Sequence, residues 1–399
     1  MNILLISYYF LPGFEGSTSL FTIIADLLAK NGHKVWVITH KFEALEYKTH
    51  PNIKIVFVSS ELPFGENKTS LYETIRFTLA AIRAGLKIIK KEKIDIIHSN
   101  AIAALAGAWI SYLSSKKHIM LLHDVYSVDP NFWKEWKKQK GNSGLKALLG
   151  KLLEKVYKNS RYAAIHTVSE ASRDDLIKFG VKKPIYVIHN AIPIKEAETV
   201  KTNPYQFVYV GRLVFYKNIQ VVVRALKLVK EKFPKINLII IGKGPYSNDL
   251  EKLVEKYSLQ NNVTFKGHVS EEEKNHIIAS SQALVFPSLF EGFGLVILEA
   301  FMQKKPVLVS NVRPMIDIVE HQRTGFVLPV NDEKAWAEAI AHFLENLQEA
   351  QKMGKNGRKV LEERYSYEKM NRKIIEMYDE VKKTQRCRGN DNNIGNSKS

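Results

Sequence analysis

Phe286-Pro-Ser-Leu-Phe-Glu-Gly-Phe-Gly-Leu-Val-Ile-Leu-Glu-Ala300 reads as the end of one element, a loop and the start of the next. Ala283–Phe286 is a short apolar run, the pattern of a strand buried on both faces. Glu291-Gly-Phe-Gly294 forms the loop, and an apolar helix is expected from about Leu295. Strand, glycine loop and helix is the repeating unit of a parallel sheet wrapped by helices.

The same alternation extends both ways from this stretch. Upstream, strands are expected at Gln206–Val210, Asn237–Ile241 and Val263–Phe265, with helices from Asn218, over 247–258 and from Ser270; downstream lies a strand at Val307–Val309. An earlier series reads Ile3–Ser7, Val35–Thr39, Ile53–Val58, Ile94–His98, Ile119–His123, Ala163–Thr167 and Ile185–Ile188. The polar stretch Lys195–Pro204 between the series reads as a linker. At 399 residues the chain exceeds what one core serves. The expected fold class is α/β, two doubly wound Rossmann-like domains with an interdomain cleft at the carboxyl ends of their strands. Residues 1–195 form the first domain and 196–366 the second. A helix over 367–383 is expected to return to the first domain, and 384–399 read as a disordered polar tail.

The chemistry follows from the placement of polar groups in this frame. Gly294 and Leu295 open a helix, so their free amides suit a phosphate. Glu299 lies just over one turn inside, among Val296, Ile297, Leu298, Ala300 and Phe301. A carboxylate in such surroundings is costly without partners, and it can accept hydrogen bonds from a diol such as a ribose. Glu291, in the loop, can reach a sugar hydroxyl. Val210-Gly-Arg-Leu-Val-Phe-Tyr-Lys-Asn218 starts at a strand's carboxyl end. Its Arg212 and Lys217 offer one bidentate and one point-charge donor to a diphosphate.

Gly211-Arg212-Leu213…Lys217, Ile241-Gly-Lys-Gly-Pro245, Phe265-Lys-Gly267, Phe286-Pro-Ser288, Glu291…Glu299, Pro306-Val-Leu-Val-Ser310 and Thr324-Gly-Phe326 occur in that order. In them the chain resembles the retaining glycosyltransferases of family 4, which adopt the GT-B fold of two Rossmann-like domains. The resemblance implies a glycosyltransferase that moves a sugar from a nucleotide-sugar donor, a UDP- or GDP-sugar, to a hydroxyl of a glycan or lipid-linked acceptor, with retention of configuration. It places Arg212 and Lys217 on the donor diphosphate, Glu299 on the ribose and Glu291 at the donor sugar. The backbone at Gly267 and His268 faces the base, and Gly292, Phe293, Gly294 and Leu295 line the donor. In the first domain, Pro12–Gly16 takes the place of a loop that lies against the donor phosphates, with Glu15-Gly16 where the family has paired glycines. His123 matches a strand-end histidine beside the reacting sugar, and His98 on a parallel strand is its rival. Retention in the family proceeds on one face of the sugar, the departing phosphate taking the acceptor's proton. A nucleotide-sugar epimerase of the same fold and a catalytically silent nucleotide-sugar-binding subunit are the alternatives.

Composition narrows the setting. The net charge is +18, with both halves basic, which points to an anionic partner. No recognised nucleic-acid motif is present, so no nucleic-acid partner is expected. A lone Cys387 excludes an internal disulfide and a cysteine metal cage. No Asp-x-Asp pair stands in a candidate loop, so neither a metal nor another cofactor is expected: fixed cations must meet the leaving diphosphate. The first residues lack a signal peptide's basic leader, and the longest apolar stretch, about 13 residues, is shorter than the ~20 of a membrane span. A cytoplasmic location follows, at the inner face of the membrane if contact is peripheral. Residues 133–161 carry nine Lys+Arg against two Asp+Glu, with Trp133 and Trp136 beside them. Within them Leu145, Leu148, Leu149, Leu152, Leu153, Val156 and Tyr157 fall at helical spacing. This is the expected membrane-facing segment, unless the helix packs on its own domain.

Overall fold

The computed structural model describes residues 1–10, 20–42, 47–58, 71–100, 103–123, 125–128, 132–133 and 144–384. Gly16, Trp136, the lysines between 134 and 140, Cys387 and the expected tail beyond 384 lie outside the described residues.

The first sheet has seven parallel strands: β1 (Asn2–Ile6), β2 (Lys34–Thr39), β3 (Ile53–Phe57), β4 (Ile96–Asn100), β5 (Lys117–Leu121), β6 (Ala164–Thr167) and β7 (Ile185–Val187). Their order is β3-β2-β1-β4-β5-β6-β7. The described helices between them are α1 (Leu20–Lys30), α2 (Leu71–Lys91), α3 (Ala104–Ser114), α4 (Gly144–Asn159) and α5 (Glu170–Lys178). Leu4, Ile6, Trp36, Ile38 and Ile97 of the strands pack with Phe77, Ala81 and Ile110 of the helices. Two strands start and end two residues away from the sequence expectation. β4 runs to Asn100, so His98 sits inside it, and β5 stops at Leu121, so His123 lies in the loop beyond.

The second sheet has six parallel strands. Its elements are β8 (Asn203–Val210), α6 (Ile219–Lys232), β9 (Asn237–Ile241), α7 (Ser247–Lys256), β10 (Val263–Gly267), α8 (Glu271–Ser280), β11 (Ser281–Phe286), α9 (Leu295–Met302), β12 (Val307–Ser310), α10 (Met315–Ile318), β13 (Gly325–Leu328), α11 (Glu333–Glu345) and α12 (Leu347–Arg364). The order is β10-β9-β8-β11-β12-β13. Every residue of β11 is buried, which is why its stretch Ala283–Phe286 is apolar without alternation. β13 is an addition to the expected series. Its Gly325 lies against β12, where a Cβ would come within 2.0 Å of the Val307 carbonyl oxygen.

A last helix, α13 (Tyr367–Lys383), completes the described chain. Contacts divide the molecule into Met1–Pro130 with Leu145–His189 and Glu368–Ser399, and Asn131–Gly144 with Asn190–Tyr367. The last helix therefore belongs to the first unit, where Lys382 pairs with Asp95 at 3.0 Å and Tyr378 shares a 2.7 Å hydrogen bond with His98. Both sheets are doubly wound. Each reverses its strand order at one point, between β1 and β4 in the first and between β8 and β11 in the second. Among the described residues no helix is long and apolar enough to cross a membrane.

Candidate active site

The strand order of the second sheet places the loops after β8 and β11 at its switch point, where such sheets hold ligands. The β8 loop is welded to its neighbours through backbone bonds. Gly211 N–H donates to Ile241 O (3.0 Å), Leu213 N–H to Lys243 O (3.1 Å), Gly242 N–H to Gly267 O (2.7 Å) and Tyr246 N–H to Leu213 O (3.0 Å). Gly242 and Gly244 make the weld possible. Cβ atoms there would meet the carbonyl oxygens of Gly211 at 1.9 Å and Leu213 at 2.1 Å, and Gly242 also has φ +135°. The Gly-Lys-Gly turn thus holds the β8 loop in place.

That loop ends in a single 3₁₀ turn, Phe215–Lys217, closed by Asn218 in the left-handed region. The Asn218 side chain donates to Val330 O at 2.7 Å, and Leu289 N–H of the β11 loop donates to Tyr216 O at 2.8 Å. The two loops are therefore joined directly. Lys217 Nζ donates to Glu291 Oε2 and stands 5.3 Å from the centre of the Phe286 ring. Arg212 is exposed on the same loop, five residues earlier. Glu291 also acts on Tyr209, a buried phenol whose hydroxyl donates to Arg212 O at 3.2 Å. Burial first and the Glu291 charge second hold this phenol well above the usual tyrosine range.

Gly294 takes φ +95° and opens α9 without a side-chain cap, and no acidic residue stands in the first turn. The sequence places Gly294 and Leu295 at a helix start, and that is where they stand. Phe293 is buried, its ring edge against Tyr365 at 5.7 Å. Gly267 ends β10 with φ +67°, and His268 beyond it is exposed.

Glu299 is 5% exposed. Its partner escaped the sequence reading. Lys274 Nζ of α8 stands 3.0 Å from Glu299 Oε1 and 2.6 Å from Glu271 Oε2. Burial works against this ammonium, but Glu299 and Glu271 outweigh it and raise its pKa. A signal was present in the sequence: Lys274 shares a helical face with Ile277 and Ile278 at i+3 and i+4. Ser270 caps the helix by accepting from Glu273 N–H at 3.1 Å, which fixes where α8 begins.

In the first unit His123 keeps part of its surface, and burial pushes its pKa down to about 4, so the ring is neutral at pH 7. Its rival His98 is fully buried, with Nδ1 on the Tyr378 hydroxyl. It sits as a core histidine. Among the described residues no three His, Cys, Asp or Glu side chains stand together as a metal-binding group.

Two doubly wound units of this kind are the architecture of the GT-B fold. The chain belongs to the family 4 and group 1 glycosyltransferases. Residues 15–196 match the family described as Glycosyltransferase Family 4, and residues 191–360 match Glycosyl transferases group 1. An uncharacterized glycosyltransferase of Methanocaldococcus jannaschii is 25% identical over 95% of this chain and 98% of its own. Among solved structures, sucrose-phosphate synthase from Thermosynechococcus elongatus superposes with TM-score 0.78 at 20% identity, covering 95% of this chain and 98% of its own. Anabaena HepE, solved in complex with UDP-glucose, gives TM-score 0.71 at 18% identity, covering 95% of this chain and all of its own.

Proposed function

We propose that the chain is a retaining, metal-independent glycosyltransferase whose second unit holds a UDP- or GDP-sugar. The observation that carries this reading is the meeting of Lys217, Glu291 and the uncapped start of α9 at the switch point of the second sheet. Arg212 and Lys217 serve the diphosphate, Glu299 the ribose and Glu291 the donor sugar, with the backbone at Gly267 and His268 beside the base. As the bond from the anomeric carbon to the phosphate oxygen breaks, negative charge grows on the diphosphate. Two fixed cations and the α9 amides meet it without a divalent ion. Both carboxylates of the site are ion-paired, Glu291 with Lys217 and Glu299 with Lys274. Neither is an uncommitted nucleophile, which favours attack by the acceptor hydroxyl on the face the phosphate leaves, its proton passing to that phosphate. His123 is the residue of the first unit we assign to transfer. The acceptor is a hydroxyl of a glycan or of a lipid-linked sugar.

The test is thermal unfolding in EDTA against UDP-, GDP- and ADP-sugars, followed by nucleotide release with the donor that binds. UDP-sugars come first, since HepE, of the same fold, was solved with UDP-glucose. A ligand at about 100 times its dissociation constant adds about 2.7 kcal/mol of stability. No stabilisation by any donor, or activity restored only by magnesium or manganese, overturns the reading.

Two substitutions check the residue assignments. Arg212→Ala and Lys217→Ala are each expected to weaken nucleoside diphosphate binding by about 1.5–3 kcal/mol, the range for a charged hydrogen bond. Calorimetric titration with the diphosphate reads this directly, and wild-type affinity in both variants removes the assignment.

A further inference from the structure

The helix α4 is turned inside out. Its inner side is Ala147, Glu154 and Tyr157. Ala147 is buried, the Glu154 carboxylate accepts from Tyr126 N–H (2.8 Å) and Ser127 N–H (3.1 Å), and Tyr157 packs on the cluster around Met120, Ile165 and Leu176. The apolar stripe that would ordinarily face a core, Leu148, Leu149, Leu152, Leu153 and Val156, faces solvent instead, Leu148 being 54% exposed.

This outward stripe does not stand alone. From α3, Trp109 (54% exposed), Tyr112 and Leu113 are also turned outward. A groove of about 550 Å³ lies between the helices, lined by Trp109 and Tyr112 on one side and Leu152 and Val156 on the other. The charges along this surface have one sign. The only acid in 104–114 and 144–161 is Glu154, which is taken inward by the two amides. Lys151, Lys155 and Arg161 are exposed, and the Arg161 guanidinium stands 5.7 Å from the Tyr112 ring centre.

We propose that the α3–α4 face of the first unit docks on an anionic lipid bilayer. Leucines and an indole entering the acyl boundary, with lysines at headgroup height, are the elements of an interfacial helix. An apolar patch of this extent on a soluble surface marks an interaction site. The basic rim selects the occupant: a second copy docked through the same face would set like charges against each other, whereas phosphate headgroups neutralise them. The inference deepens the lipid-linked acceptor reading and rests on it only for the use of being at a membrane.

The experiment is co-sedimentation of the full chain, without nucleotide or acceptor, with phosphatidylcholine vesicles and with the same vesicles containing phosphatidylglycerol. Binding is expected only with phosphatidylglycerol and falls at high salt. Lys151→Glu/Lys155→Glu lowers partitioning by at least about 25-fold, since each basic residue near the surface is worth about fivefold. Leu152→Asp/Val156→Asp abolishes it, and because both side chains are exposed, circular dichroism and the urea midpoint stay at wild type. No pelleting with anionic vesicles at low salt overturns the proposal. So does pelleting of both variants at wild-type level, or a dimer in solution that Leu152→Asp/Val156→Asp dissolves. Diphosphate affinity, measured on the same samples, separates the two readings: lost vesicle binding with intact diphosphate binding removes the membrane alone, and the reverse removes the donor site alone.

Discussion

Acidification from pH 6.5 to pH 4 is expected to unfold the first unit. His98, His118 and His166 lie on the adjacent strands β4, β5 and β6, and all three are fully buried. Burial holds His118 at about 4, with a bond from Nδ1 to the Arg161 carbonyl opposing it, and holds His166 at about 3, with His123 adding to the effect. Burial, then His166 and His118, keeps His98 well below the ordinary range. An unfolded histidine titrates near 6.5. Above that pH both states are neutral and nothing is lost. Below it the unfolded chain takes up protons that the folded chain refuses, so stability falls as pH falls, until the folded pKa values are reached. Each such histidine contributes about 1.4 kcal/mol per pH unit, and three give about 4 kcal/mol per unit. Against a typical stability of about 5–15 kcal/mol this is decisive. Urea unfolding, or hydrogen exchange of the β4 and β5 amides, at steps between pH 7 and pH 4 measures it. His118→Asn is expected to reduce the slope by about 1.4 kcal/mol per pH unit, the share of one such histidine. A slope near zero in this window contradicts the assignment of three neutral buried rings.

Lys274→Met is expected to destabilise the second unit by about 3–5 kcal/mol, the cost of removing one partner of a buried ion pair. Glu299 would then stay 5% exposed in α9 without the ammonium that stands 3.0 Å from it. Lys274→Arg keeps the charge and is expected to recover most of the stability. Denaturant midpoints of wild type, Lys274→Met and Lys274→Arg decide it. Equal midpoints for wild type and Lys274→Met would mean that Glu299 is held without Lys274.

Much of this molecule is legible along the chain. Apolar runs such as Leu238–Ile241 and Ala283–Phe286, each followed by a glycine loop and a helix, determine parallel strands, because a strand buried on both faces cannot alternate. Gly294 determines where α9 starts, and with it that Glu291 lies in a loop and Glu299 inside a helix. These are short-range properties, and local sterics and periodicity suffice for them. The tertiary structure alone decided what those groups meet. Lys274 reaches Glu299 from a helix 25 residues earlier, and the histidines of β4, β5 and β6 become neighbours only through strand register. Periodicity shows that α4 has an apolar stripe, but not whether the stripe packs inward or faces a membrane. The inward side is instead set by one carboxylate, Glu154, which two backbone amides of a distant turn require. Leaving a pair of part-buried amides unmet is costly, whereas singly exposed leucines are ordinary, and that balance depends on what lies opposite in space, which sequence spacing does not contain.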